Sequence, residues 1–126
     1  MVERLCLMSG GHIRNFLFMM QESINRTDNL PITAKAAQRA ITKLRDVYRK
    51  TTEQYEWQIL AKLSLSQRIL NDQQHRSLLF NRCILEYRYF DAEGDRQTWY
   101  DVHPLIKGLD EFKEAVALLS HETTNN

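Results

Sequence analysis

Apolar positions recur at helical spacing over most of this chain and alternate in one late stretch. Val2 to Met8 reads as a short helical end closed by Ser9-Gly10-Gly11, where Gly10 can take the left-handed conformation. From His12, the residues Ile13, Phe16, Leu17, Met20 and Ile24 mark the inner stripe of a helix reaching about Arg26. Thr27-Asp28-Asn29 breaks the pattern, and Leu30-Pro31-Ile32-Thr33 is an extended lead-in with Thr33 as N-cap. Ala36, Ala37, Ala40, Ile41, Leu44, Val47 and Tyr48 then line one face of the strongest helix. A further helix begins near Thr52, with Tyr55, Ile59, Leu60 and Leu63 inward, and Ser64 to Leu70 reads as a loop. Asn71-Asp72 caps a short helix through Phe80.

The period then changes. Cys83 to Phe90 is aromatic and β-branched and predicts a strand, Asp91 to Asp95 a turn, and Thr98 to Val102 the returning strand. Pro104 opens a final helix with Leu105, Leu109, Phe112, Val116 and Leu119 as its stripe, ahead of a polar, frayed tail. The expected fold is therefore mainly α with a small β-hairpin, in the order α-α-α-α-β-β-α, a winged-helix-like helical domain. Trp99, Tyr87 and Tyr89 are large enough to anchor a hairpin that is marginal alone. The expected division is a helical segment over 1–29, a winged-helix-like domain over 30–121 and a tail over 122–126.

Composition narrows the class without naming an activity. The 126 residues suit one domain, and four glycines with two prolines argue against low complexity and against a turn-dense sandwich. A net charge of +1 excludes a polybasic or acidic tail as the whole story. A mean hydropathy of -0.50 and the lack of a long apolar run argue against a membrane span. Cys6 and Cys83 lie apart in apolar stretches, with no ligand-spaced neighbour for zinc, and read as reduced core thiols of a cytoplasmic protein. The N-terminus carries charges inside a stretch too short for a signal peptide.

Catalytic patterns do not present themselves: HExxH, GxSxG and GxxxxGK[ST] are all missing from the sequence. His103, beside Pro104, reads as a boundary histidine whose ring hydrogen-bonds a helix-end or strand group. Ser9-Gly10-Gly11-His12-Ile13-Arg14 offers a phosphate half-site, with a helix N-terminus beside a first-turn arginine, although a glycine junction with a surface arginine is commoner. Between Lys35 and Lys50 lie six basic residues against one acidic, Asp46. Lys35, Arg39 and Lys43 recur every fourth position, a stripe that suits nucleic-acid phosphates, an acidic partner or solvent. Arg76 falls on the short helix where a winged helix carries its recognition element. The turn Asp91, Glu93, Asp95 with Arg96 is net acidic and argues against duplex DNA as the main ligand.

Ser9-Gly10-Gly11-His12-Ile13-Arg14-Asn15-Phe16-Leu17 resembles the start of a lid-subdomain helix in AAA+ and related signal-transduction P-loop ATPases. Leu30-Pro31-Ile32-Thr33, Ala40-Ile41 and Arg45-Asp46-Val47-Tyr48 are similar to the junction into a C-terminal winged helix. Leu78-Leu79-Phe80, Leu85-Glu86-Tyr87 and Trp99-Tyr100-Asp101-Val102-His103-Pro104-Leu105 look like the closing part of such bacterial ATPases. The resemblance covers about residues 9–115 and implies a non-catalytic, regulatory or protein-interacting C-terminal module. It implies that Arg14 senses the terminal phosphate of ATP, but only alongside an upstream nucleotide-binding core, because Walker A and Walker B motifs are missing here. The chain itself is then not an enzyme, needs no cofactor of its own, and has the ATPase core or another protein as its partner.

Two alternatives stand beside this reading. One is a free-standing winged-helix nucleic-acid-binding protein using Lys35, Arg39, Lys43 and Arg76. The other is an unrelated adaptor, whose sign would be an exposed apolar patch around Phe18 and Met19.

Overall fold

A computed structural model describes residues 2–27 and 31–124. Its elements are α1 (Val2–Met8), α2 (Ile13–Asn25), α3 (Ala34–Thr51), α4 (Glu56–Ser66), α5 (Gln73–Phe80), β1 (Ile84–Phe90), β2 (Arg96–Val102), α6 (Pro104–Lys107) and α7 (Asp110–Thr124). The described residues are mainly helical with one antiparallel hairpin, a winged-helix-like layout. By contact the chain forms two compact units, residues 1–51 with 104–109, and residues 52–103 with 110–126.

In the first unit α2 packs along α3, and α6 packs on α1 and α3. Thr33 caps α3 as expected, its Oγ1 accepting the Ala36 N–H at 3.1 Å. Alanines at 36, 37 and 40, all buried, let α2 approach closely, while Ile41, Leu44 and Tyr48 extend the same face. Val47, expected on that face, is exposed.

The phase of α2 is the main correction. Its buried line is Asn15, Met19 and Ser23, not the expected stripe, whose Ile13, Leu17 and Ile24 are 66%, 58% and 48% exposed. The polar members are satisfied inside: Asn15 Nδ2 donates to Tyr48 Oη at 3.0 Å, and Ser23 Oγ to the Met19 carbonyl at 2.7 Å. Periodicity locates a helix but cannot choose its inner side when apolar residues cover most of the circumference.

In the second unit α7 and β2 pack on α4, and α5 leads into β1. Asp72 caps α5 as expected, its Oδ1 accepting the His75 N–H at 2.8 Å. α5 ends with Arg82 left-handed at φ 66° while the Cys83 N–H reaches back to the Leu78 carbonyl at 3.0 Å. This six-to-one closure turns the chain directly into β1. The hairpin pairs Ile84 with Val102 through Phe90 with Arg96. Its turn closes through Asp91, whose Oδ1 accepts the N–H groups of Glu93 and Asp95 at 3.0 and 2.9 Å, with Gly94 at φ 84°. Tyr87 and Trp99 stack across the strands, ring centroids 4.4 Å apart.

Other expectations shift in detail. α4 extends to Ser66 and buries Trp57 and Ala61, whereas Tyr55 is exposed. The single closing helix is two, α6 and α7, separated at Gly108-Leu109. Leu105, Leu109 and Phe112 are buried, but Val116 and Leu119 are only half-buried, and Ala115 is the buried residue of that stretch of α7. The chain is still helical at Thr124, so the expected fraying does not begin at Glu122, and Asn125 and Asn126 lie outside the described residues. Both cysteines are free, yet only Cys83 is in the core; Cys6 is exposed.

Candidate functional site

The α1–α2 junction is built by one serine and two glycines. Ser9, almost wholly buried, donates from Oγ to the Cys6 carbonyl at 2.6 Å and accepts the Gly11 N–H at 3.2 Å. Gly10 and Gly11 both have positive φ, 64° and 83°, a pair of consecutive conformations that side chains resist. The chain reverses within this turn, and His12 becomes the N-cap of α2, its Nδ1 accepting the Asn15 N–H at 3.4 Å.

Arg14 stands exposed on the first turn of α2, as the phosphate half-site requires. Beside it run Ile13, Leu17 and Ile24, the outward line of the helix, with Met20 half-buried on the same side. A helix on a protein surface ordinarily turns its polar residues outward; α2 holds Asn15 and Ser23 inside with Met19 and leaves Ile13, Leu17 and Ile24 outside among the exposed Arg14, Gln21 and Asn25. The adaptor patch expected around Phe18 and Met19 is not there, because Met19 is fully buried and Phe18 half-buried. The apolar surface lies a quarter-turn or more around the helix. Asn15 and Ser23, set two turns apart on one line, gave no sequence signal that they would be the buried side.

The basic stripe on α3 is real but partly committed. Lys35 and Arg39 are exposed. Lys43 pairs with Glu22 of α2 at 3.0 Å and lies over the Phe18 ring at 5.7 Å, so it serves α2–α3 packing. Glu22 also meets Arg26 at 3.6 Å. Arg76 belongs to the other unit, where it donates to Asn71 Oδ1 at 2.9 Å.

A basic feature that the sequence did not disclose lies where α3 meets α6. Arg45 is half-buried, and its guanidinium lies against Gly108, in space that a Cβ there would occupy. Burial, and secondarily the like charge of Arg4, lower the Arg45 pKa from its ordinary value. Arg4 in turn donates to Gln38.

In the second unit, His75 Nδ1 meets Asp72 Oδ1 at 2.7 Å, and hydrogen bonds from the His75 backbone and ring hold the Asp72 carboxyl below its usual range. Burial, then the charge of Glu56, raises the Cys83 thiol to about 11, with a Thr52 hydrogen bond opposing. His103 is fully buried at the boundary position expected for it, and its backbone N–H extends the hairpin ladder to the Cys83 carbonyl at 2.9 Å. A groove of about 360 Å³ between α4 and α7 is lined by Trp57, Lys62, Glu111, Glu114 and Leu118. Among the described residues, no three His, Cys, Asp or Glu side chains gather as metal ligands, and no helix is long and apolar enough to cross a membrane. Compared with protein-family models, curated proteins and solved structures, the chain matches none.

Proposed function

We propose that this chain is a non-catalytic regulatory and protein-interaction module of a P-loop ATPase. It docks through the outward face of α2 and presents Arg14 to the terminal phosphate of ATP held by the ATPase core. The observation carrying this reading is the inverted α2, whose exposed line Ile13, Leu17 and Ile24 runs alongside an exposed first-turn arginine. An apolar surface next to a bidentate phosphate donor suits a contact in which protein covers the apolar part and leaves the guanidinium facing an anion. The resemblance of Ser9 to Leu17 to a lid helix supplies the nature of that partner. The reading puts the module in the cytoplasm, where free thiols such as Cys6 and Cys83 persist.

The test couples the chain to the P-loop domain encoded upstream of it. MgATP titrated into the isolated chain gives no binding, whereas the joined protein hydrolyses ATP. Leu17→Asp in the joined protein disrupts docking, measured by protection of α2 amides, and Arg14→Ala lowers hydrolysis with docking intact. Tight ATP binding by the chain alone, or the lack of any P-loop domain to join, overturns the proposal.

Exposed Lys35 and Arg39 favour the second reading, nucleic-acid binding. Duplex DNA at low salt, where phosphate contacts are strongest, then binds the chain and is released by Lys35→Glu with Arg39→Glu.

A further inference from the structure

The hairpin has one edge tied to its own unit and one edge open. Tyr100 of β2 donates its N–H outward to the Gln67 carbonyl at 3.1 Å, so it does not bond its cross-strand neighbour Glu86. At one end the His103 N–H donates to the Cys83 carbonyl, and at the other the Asp91 N–H donates to the Asp95 carbonyl, both at 2.9 Å. Antiparallel pairs alternate between bonded and non-bonded. The odd-numbered residues of β1 therefore face β2, and Ile84, Glu86, Arg88 and Phe90 turn their N–H and C=O groups to the outer edge. Among the described residues, no backbone hydrogen bond from another segment reaches Glu86, Arg88 or Phe90 on that side.

An open strand edge is a template for another strand, and proteins commonly blunt it with charge. Here the charges are arranged in a way that one partner satisfies. We propose that two copies of this chain associate by pairing their β1 edges antiparallel about Tyr87, forming a continuous four-stranded sheet. In that register every outward-facing residue meets an outward-facing residue. Glu86 lies opposite the partner's Arg88, and Arg88 opposite the partner's Glu86. Tyr87 meets the partner's Tyr87, while the exposed Tyr89 reaches the partner's Leu85.

Charge selects this register over its neighbours. A slip by one step either way that keeps the backbone bonds sets Glu86 against the partner's Glu86, or Arg88 against the partner's Arg88, and like charges directly opposite are unfavourable. Both side chains are on one face of β1 and within reach of each other, Arg88 Nη2 meeting Glu86 Oε2 at 3.1 Å within the single chain. Association exchanges the internal pair of each chain for one of two equivalent pairs across the interface. The interface is isologous, the usual form for a dimer.

Sedimentation equilibrium of the full chain from about 1 μM to about 1 mM reads the association directly. A concentration-dependent dimer is expected. Arg88→Glu and Glu86→Arg, each alone, weaken it roughly tenfold or more, since each sets like charges opposite each other at both symmetric positions. An equimolar mixture of the two variants restores association, because each supplies the charge the other lacks. A measurement on the unmodified chain stands apart from the variants: amide exchange at Glu86, Arg88 and Phe90 slows as concentration rises. A chain that stays monomeric, a dimer indifferent to both reversals, a mixture that fails to recover, or edge amides insensitive to concentration overturns the proposal.

Discussion

Leu17→Ala and Met19→Ala, two residues apart on α2, separate the observed phase of that helix from the one its sequence suggests. Complete burial of such a side chain contributes about 1.5–3 kcal/mol. Leu17 is 58% exposed, so its truncation forfeits less than half of that, about 1 kcal/mol at most. Met19 is 0% exposed, and truncation there adds a cavity to the lost transfer energy, for a cost of about 2–5 kcal/mol. Both tryptophans, Trp57 and Trp99, belong to the other unit, so their fluorescence is the wrong probe for this one. Chemical denaturation followed by amide exchange of α3 reads the right unit, with helical circular dichroism reporting both units together. A Leu17→Ala variant less stable than Met19→Ala would refute the phase, and with it the apolar docking face.

Three further outcomes follow from the local chemistry. His12→Asp replaces a long imidazole cap bond with a carboxylate at a helix N-terminus and stabilises α2 by roughly 0.5–1 kcal/mol in the same denaturation assay. Asp72 and Asp91 have folded pKa values below their unfolded ones, near 3.9, so the stability they contribute is complete above that value and is lost as pH falls through the folded values. Thermal melts accordingly weaken below about pH 4, and Asp72→Asn, which keeps a capping oxygen, flattens that decline. At pH 8 a thiol-specific reagent labels exposed Cys6 rapidly, while Cys83, raised to about 11, is roughly one part in a thousand thiolate and reacts only after unfolding.

Local signals in the sequence carried over to the structure where a residue acts on its near neighbours. Thr33 and Asp72 start their helices through bonds to N–H groups three residues on. The change of period at Cys83 marks the hairpin, and Gly94 sits in its turn. Features depending on distant residues were not legible. The inner side of α2 is chosen by Tyr48, whose hydroxyl accepts from Asn15, and by the small alanines of α3. Lys43 reads as one member of a stripe until Glu22, far away in sequence, is found against it. Arg82 gives no sign that it will take a left-handed conformation, since the sterics of its side chain argue against it. The candidate site divides the same way: Arg14 on a first helical turn was readable, the apolar line beside it was readable as apolar, and its exposure was not.

The short α6 has a consequence for the order in which the chain can fold. Its unit is made of residues 1–51 and 104–109, with the hairpin and two helices of the other unit lying between them in sequence. Leu105, Ile106 and Leu109 are all but fully buried, and α6 packs on both α1 and α3. During synthesis the first three helices therefore leave the ribosome with a seat waiting for a segment not yet made. Contacts separated by so much intervening chain form late, because a long loop must close before they gain anything. A nascent chain paused before Pro104 would hold that seat open, and a chaperone or a neighbouring nascent chain would meet it first.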